Sequence, residues 1–148
     1  MTTNRPMKEL LAGCDVERAE LAPALRAVLD EGLVQIDGCL LLTSQSKLVS
    51  RRVRDQLPDK TGFECFVNHL HLEQDVKIAG RPLVEQAIVF GRELQAAARK
   101  LGIEEQLAYI VAGDSKEMSI RFHVLRPGEQ WLSADIEQYE EAVGLQIL

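Results

Sequence analysis

Three histidines are the residues of this 148-residue chain whose type and spacing could do chemistry, and two of them stand as His69-x-His71. On an extended strand, residues two apart share a face and lie roughly 7 Å from each other. His123 falls in a second strand-like run and would join them if the two strands were neighbours. Three imidazoles around an open fourth position form the ligand set of a catalytic zinc site. A metal-dependent enzyme or metal sensor using His69, His71 and His123 is therefore one reading. The opposing reading makes each a half-buried strand residue, since no carboxylate accompanies them at a metal-site spacing.

Other catalytic templates are not matched. The sequence has no phosphate-binding glycine loop, no dinucleotide fingerprint, no HExxH and no GxSxG. Gly113-Asp114-Ser115 reads as turn chemistry rather than as a nucleophile site. The three cysteines, Cys14, Cys39 and Cys65, are widely spaced, and no CxxC pair occurs. An odd count without a secretory leader argues for reduced thiols that pack as small apolar side chains. No cofactor is expected from these patterns, and catalysis is not the first expectation.

A different kind of site lies along Met118 to Trp131. Arg121, His123 and Arg126 are expected to project from one side of a strand, with Glu129 and Trp131, the single tryptophan, in the loop that follows. Tryptophan and arginine carry much of the binding energy at protein interfaces. These five residues form the candidate partner-binding surface. The alternative folds Trp131 inward as a core anchor.

The elements that must position these residues follow from periodicity. Leu107–Ala112 and Met118–Arg126 alternate around a polar turn and predict an antiparallel hairpin, closed off by Pro127-Gly128. Phe63–Leu72, FECFVNHLHL, is predicted as its partner strand, although its apolar face switches midway as if a bulge intervened. Apolar residues from Val84 to Leu101 recur at three- and four-residue steps, predicting a long helix from Pro82 to Leu101 that lies on the sheet. Glu73–Gly80 is expected to be a loop. Ser133 is expected to cap a last, acidic helix from Ala134 to about Val143.

The N-terminal part begins with a short helix over Met7–Gly13. A second helix is expected over Val16–Glu31, with Pro23 restricting its regular part to residues from Leu21 or Ala22 onward. Asp37-Gly38 between two apolar runs predicts a tight hairpin over Leu33–Leu42. A helix is also expected over Lys47–Leu57, carrying Lys47, Arg51, Arg52 and Arg54. The helix followed by EGLVQIDGCLLLT resembles the recognition helix and wing of a winged helix-turn-helix domain, over about residues 7–43. That resemblance implies a winged-helix-like subdomain within residues 1–45 and a nucleic-acid-binding regulator using Arg18, Arg26 and the Lys47–Arg54 segment. Glu17, Glu20, Asp30 and Glu31 crowd the would-be reading helix, which needs donors for phosphates and base edges.

The expected fold class is thus α+β, a mainly antiparallel sheet with helices packed on one face, in the order ααββαβαββα. A single domain is expected over 1–148, with residues 60–148 as its core. The net charge of −6 arises entirely in the second part: residues 1–60 carry nine basic and nine acidic side chains, residues 61–148 eight and fourteen. An acidic body does not favour nucleic acid and steers basic partners toward itself. No apolar run is long enough to span a membrane and no signal-peptide pattern opens the chain, so a cytoplasmic protein is expected. The first functional expectation is non-catalytic binding of a macromolecular partner, as by an inhibitor, immunity or chaperone-like protein.

Overall fold

The computed structural model describes residues 1–49, 51–74 and 82–148, and the side chains of all of these except 51 and 52. Most of the loop expected over Glu73–Gly80 lies outside the described residues, as do the side chains of Arg51 and Arg52. The fold is α+β. Its main sheet has five strands in the order β1 (Thr2–Thr3), β7 (Ala142–Ile147), β5 (Leu107–Gly113), β6 (Met118–Val124) and β4 (Leu70–His71), each pair antiparallel.

The β5–β6 hairpin forms as its alternation demands, with Tyr109 opposite Phe122 and Val111 opposite Ile120. These side chains fill the core against α6 (Leu83–Lys100), whose Ala87, Phe90, Leu94 and Ala98 are buried. Gly91 is the close-approach point of that helix. A Cβ there would meet the Tyr109 ring at 2.6 Å, and the Tyr109 hydroxyl donates to the Ala87 carbonyl at 2.6 Å. The tyrosine therefore lies flat across one turn of α6, where only a residue without a side chain admits it.

Three expected elements are corrected, one of them in the N-terminal part. The last helix is instead a single 3₁₀ turn, Ile136–Gln138, followed by β7, which pairs with β5 along six positions. Asn4 fixes the other side of β7. Its Oδ1 accepts from Val143 N and Met7 N, while its amide donates to the Tyr139 and Glu141 carbonyls. One buried side chain thus caps α1 (Arg5–Leu11) and holds the C-terminal strand.

The predicted strand Phe63–Leu72 is instead α5 (Lys60–Val67), with only the two residues of β4 extended. Asp59 caps α5 by accepting from Gly62 N at 2.6 Å. The apolar face that switched sides midway was the helical period, not a bulge. Among Thr61–Val67 only Phe66 is exposed, so the helix shows no polar side to betray it.

In the N-terminal part, the proline expectation is met: α2 runs from Pro23 to Asp30, with Ala22 as its cap. It buries Leu25 and Leu29, and Arg26 pairs with Glu93 of α6. The Asp37-Gly38 turn joins β2 (Leu33–Ile36) and β3 (Cys39–Leu42), with positive φ at both turn residues. This hairpin is its own two-stranded sheet rather than a continuation of the main one. Of the helix expected over Lys47–Leu57, the described residues form the single turn α4 (Arg51–Arg54), and a separate single turn, α3 (Thr43–Ser46), precedes it.

What joins the two sheets is α5. Glu64 and Asn68, one turn apart, lie between the edges of β3 and β6. The Glu64 carboxylate accepts from Leu40 N on one side and Val124 N on the other. The Asn68 amide group accepts from Leu42 N and donates to the carbonyls of Leu40 and Phe122. Two side chains thereby supply the hydrogen bonds that a missing strand would have made. Neither is exposed.

Candidate functional site

Alternation along β6 sends Met118, Ile120 and Phe122 into the core and Ser119, Arg121 and His123 to the opposite face. The register of β4 sets His71 opposite Ser119, which brings His69 level with Arg121. Arg121 Nη2 donates to His69 Nδ1 at 3.2 Å. A guanidinium has no acceptor, so this bond places any single imidazole proton of His69 on Nε2. The His69 and His71 rings lie 4.2 Å apart, and His71 Nδ1 is 3.6 Å from Glu73 Oε1. The other Glu73 oxygen accepts from Met118 N. Arg121, His69, His71 and Glu73 thus form a continuous polar line across the β6–β4 edge.

Trp131 completes this cluster. It is 42% exposed, so it is not the inward anchor that one reading expected. The Arg121 guanidinium carbon lies 5.7 Å from its ring centroid, within cation–π range. Burial lowers the Arg121 pKa from its ordinary value, an effect that the fields of Cys65 and Glu141 only partly oppose. No described carboxylate comes within ion-pairing distance of it.

The remaining members of the expected partner surface have structural work. Arg126 and His123 were expected to project outward, and the structure corrects both. Arg126 forms a bidentate pair with Glu64, both contacts 2.7 Å, and also donates to the Gly38 carbonyl. That hydrogen-bonded pair raises the Arg126 pKa. It is the length and branching of Arg126 that let one residue tie α5, β6 and the β2–β3 turn together. His123 is buried, and its Nδ1–H donates to the Val124 carbonyl at 3.0 Å. Glu129 accepts from Thr61 N in the first turn of α5. Burial would raise its pKa, but hydrogen bonding from Thr61 and the fields of Arg126 and Lys60 together outweigh this and the net shift is downward.

The histidines are therefore divided. His69 and His71 come together, while His123 turns its Nδ1 to its own strand. Among the described residues, no group of three histidine, cysteine or acidic side chains stands close enough to hold a metal ion. The cysteines are unpaired, and burial pushes the Cys65 thiol up to about 12, far from the thiolate that nucleophilic chemistry needs.

The sequence reasoning missed Glu64, Asn68, His69 as the Arg121 contact, and Asn4. The i, i+4 spacing of Glu64 and Asn68 was a legible signal once the segment was read as a helix. A second surface feature was not foreseen: a groove of about 510 Å³ rimmed by Glu9, Asp114, Glu117, Glu140 and Glu141. Among the described residues, no helix is long and apolar enough to cross a membrane.

Comparison with curated proteins and with solved structures finds no match to this protein. The profile of one protein family does match, over residues 2–147 and so over both sheets and the Arg121 cluster. The chain belongs to the Uncharacterized protein PM0498 family.

Proposed function

We propose that this protein acts by non-catalytic binding of a protein partner, through a preformed surface centred on Trp131 and Arg121. The observation that carries this reading is the half-exposed indole seated against a half-buried guanidinium. Both residue types are those that concentrate interface energy, and a rigid sheet strand holds the arginine in place before any partner arrives. The acidic groove beside Glu141 and the net charge of −6 suit a partner with a basic rim. Three thiols outside any disulfide, two of them buried, suit a reducing, cytoplasmic setting.

The metal reading is less well supported, because a guanidinium donating to His69 Nδ1 sets a positive charge against that imidazole. The winged-helix reading has Arg26 paired with Glu93 and α2 packed on α6.

The test is an affinity pull-down from the native lysate, run with the wild-type protein, Trp131→Ala and an exposed control variant, Leu48→Ala. A protein retained by wild type and control but lost from Trp131→Ala supports the reading, once reconstituted binding weakens at least about tenfold in that variant. Equal retention by all three overturns it. So does stoichiometric transition metal in the purified protein that disappears in His69→Ala.

A further inference from the structure

The other shielded guanidiniums among the described side chains each have a carboxylate, Arg54 pairing with Asp37 and Arg126 with Glu64, and exposed Arg26 also pairs with Glu93. Arg121 departs from this pattern. It is half-buried, one of its five donors goes to a neutral acceptor on His69, and Trp131 covers one face. Glu141 acts on it only through its field, without an ion pair. Cys65, also within reach of its field, is held as a thiol. Among the described residues no carboxylate stands at ion-pairing distance from Arg121, and desolvating a charge that lacks a counter-ion costs free energy.

We infer that Arg121, with Trp131 across its face and His69 beside Nη2, is a receptor for a single carboxylate presented by the partner, from an aspartate, a glutamate or the partner's own terminal carboxyl group. The planar fork of a guanidinium accepts a carboxylate edge-on through two parallel hydrogen bonds. Stacking occupies the face and leaves the edge for that contact. The low local dielectric beside the indole strengthens the pairing over its value in open water. A carboxylate is favoured over a phosphate because Glu141 already acts on this site through its field: a doubly charged group would meet repulsion that a single charge half escapes. This deepens the binding role proposed above and rests on it. The partner would carry a basic rim for the acidic groove and one anchoring carboxylate for Arg121.

The protein contains one tryptophan, so its indole N–H resonance reports on this site alone. The experiment titrates the ¹⁵N-labelled full-length protein with sodium benzoate, with benzamide as its uncharged isostere, and with inorganic phosphate. The expected result is a saturable shift of the Trp131 indole peak with benzoate, with a Kd in the range of about 1–20 mM typical of a single anchored contact. Benzamide gives no saturable shift. Arg121→Met abolishes the benzoate response, and Arg121→Lys, which keeps the charge but loses the fork, weakens it several-fold. Because Arg121→Lys and the benzamide comparison do not depend on the methionine variant folding, the inference stays testable if that variant fails.

No saturation by about 50 mM benzoate, where an anchored fragment must show itself, overturns the inference. So does an equal response to benzamide, a response retained in Arg121→Met, or tighter binding of phosphate. If benzoate fails while Trp131→Ala still loses the partner, the binding role stands and the carboxylate receptor falls.

Discussion

Replacing Arg126 by methionine keeps most of the aliphatic stem and removes the guanidinium that neutralises Glu64. The carboxylate would then sit fully buried, with Leu40 N and Val124 N as its remaining donors at 2.7 and 2.8 Å. Breaking a buried pair by deleting one partner costs about 3–5 kcal/mol. Two surviving backbone donors place this case near the lower end, at about 3 kcal/mol. With a urea m-value of roughly 2 kcal/mol/M, the unfolding midpoint should fall by about 1.5 M. Glu64→Gln should cost about 2–3 kcal/mol, because its amide sets a donor against the Val124 N–H or the guanidinium. In the double variant the losses should not add; a coupling energy of about 1.5 kcal/mol or more is expected from the cycle. Circular dichroism at increasing urea measures all four proteins. A midpoint drop below about 0.3 M for Arg126→Met, or additivity within about 0.5 kcal/mol, would refute the view that this pair splices the two sheets.

Two further outcomes follow from the packing. Gly91→Ala sets a Cβ at 2.6 Å from a Tyr109 ring pinned by its bond to Ala87, so thermal unfolding should show a loss of about 1–3 kcal/mol despite the better helix propensity of alanine. The Cys65 thiol, pushed up to about 12 by burial, is protonated in the native state at pH values where the unfolded protein has released that proton. A raised acid pKa gives stability that is full below the ordinary value near 9 and is lost as pH climbs from there toward 12. Urea midpoints should therefore fall between about pH 8 and 10.5, less steeply in Cys65→Ala, and native Cys65 should resist a thiol reagent at about pH 8.

Where local chemistry was decisive, the sequence announced its structure. Asp37-Gly38 specified a tight turn whatever surrounded it, because few residues accept its positive φ values. Alternation from Leu107 to Val124 fixed a hairpin with one buried face. Pro23 set the start of α2. Phe63–Leu72 was different: aromatic and β-branched content argued for a strand, yet tertiary contacts on nearly every side made it a helix. Ala142–Ile147 does alternate, with Val143, Leu145 and Ile147 on one side, but the acidic run before it looked helical and the need for a partner on the far side of β5 could not be read locally.

Arg121 and Trp131 could be singled out as candidates, with His123, Arg126 and Glu129, from their residue types alone. Their seating could not. By itself the sequence determined the turns, the amphipathic α6 and the central hairpin, because each depends on residues only a few positions apart. The tertiary structure alone decided which charges are spent inside the fold. Glu64 lies 62 residues from Arg126 and the two neutralise each other, whereas Arg121 meets a histidine and an indole and has no described carboxylate at ion-pairing distance. Coulomb energies depend on distance and burial in space, and neither is a property of sequence position.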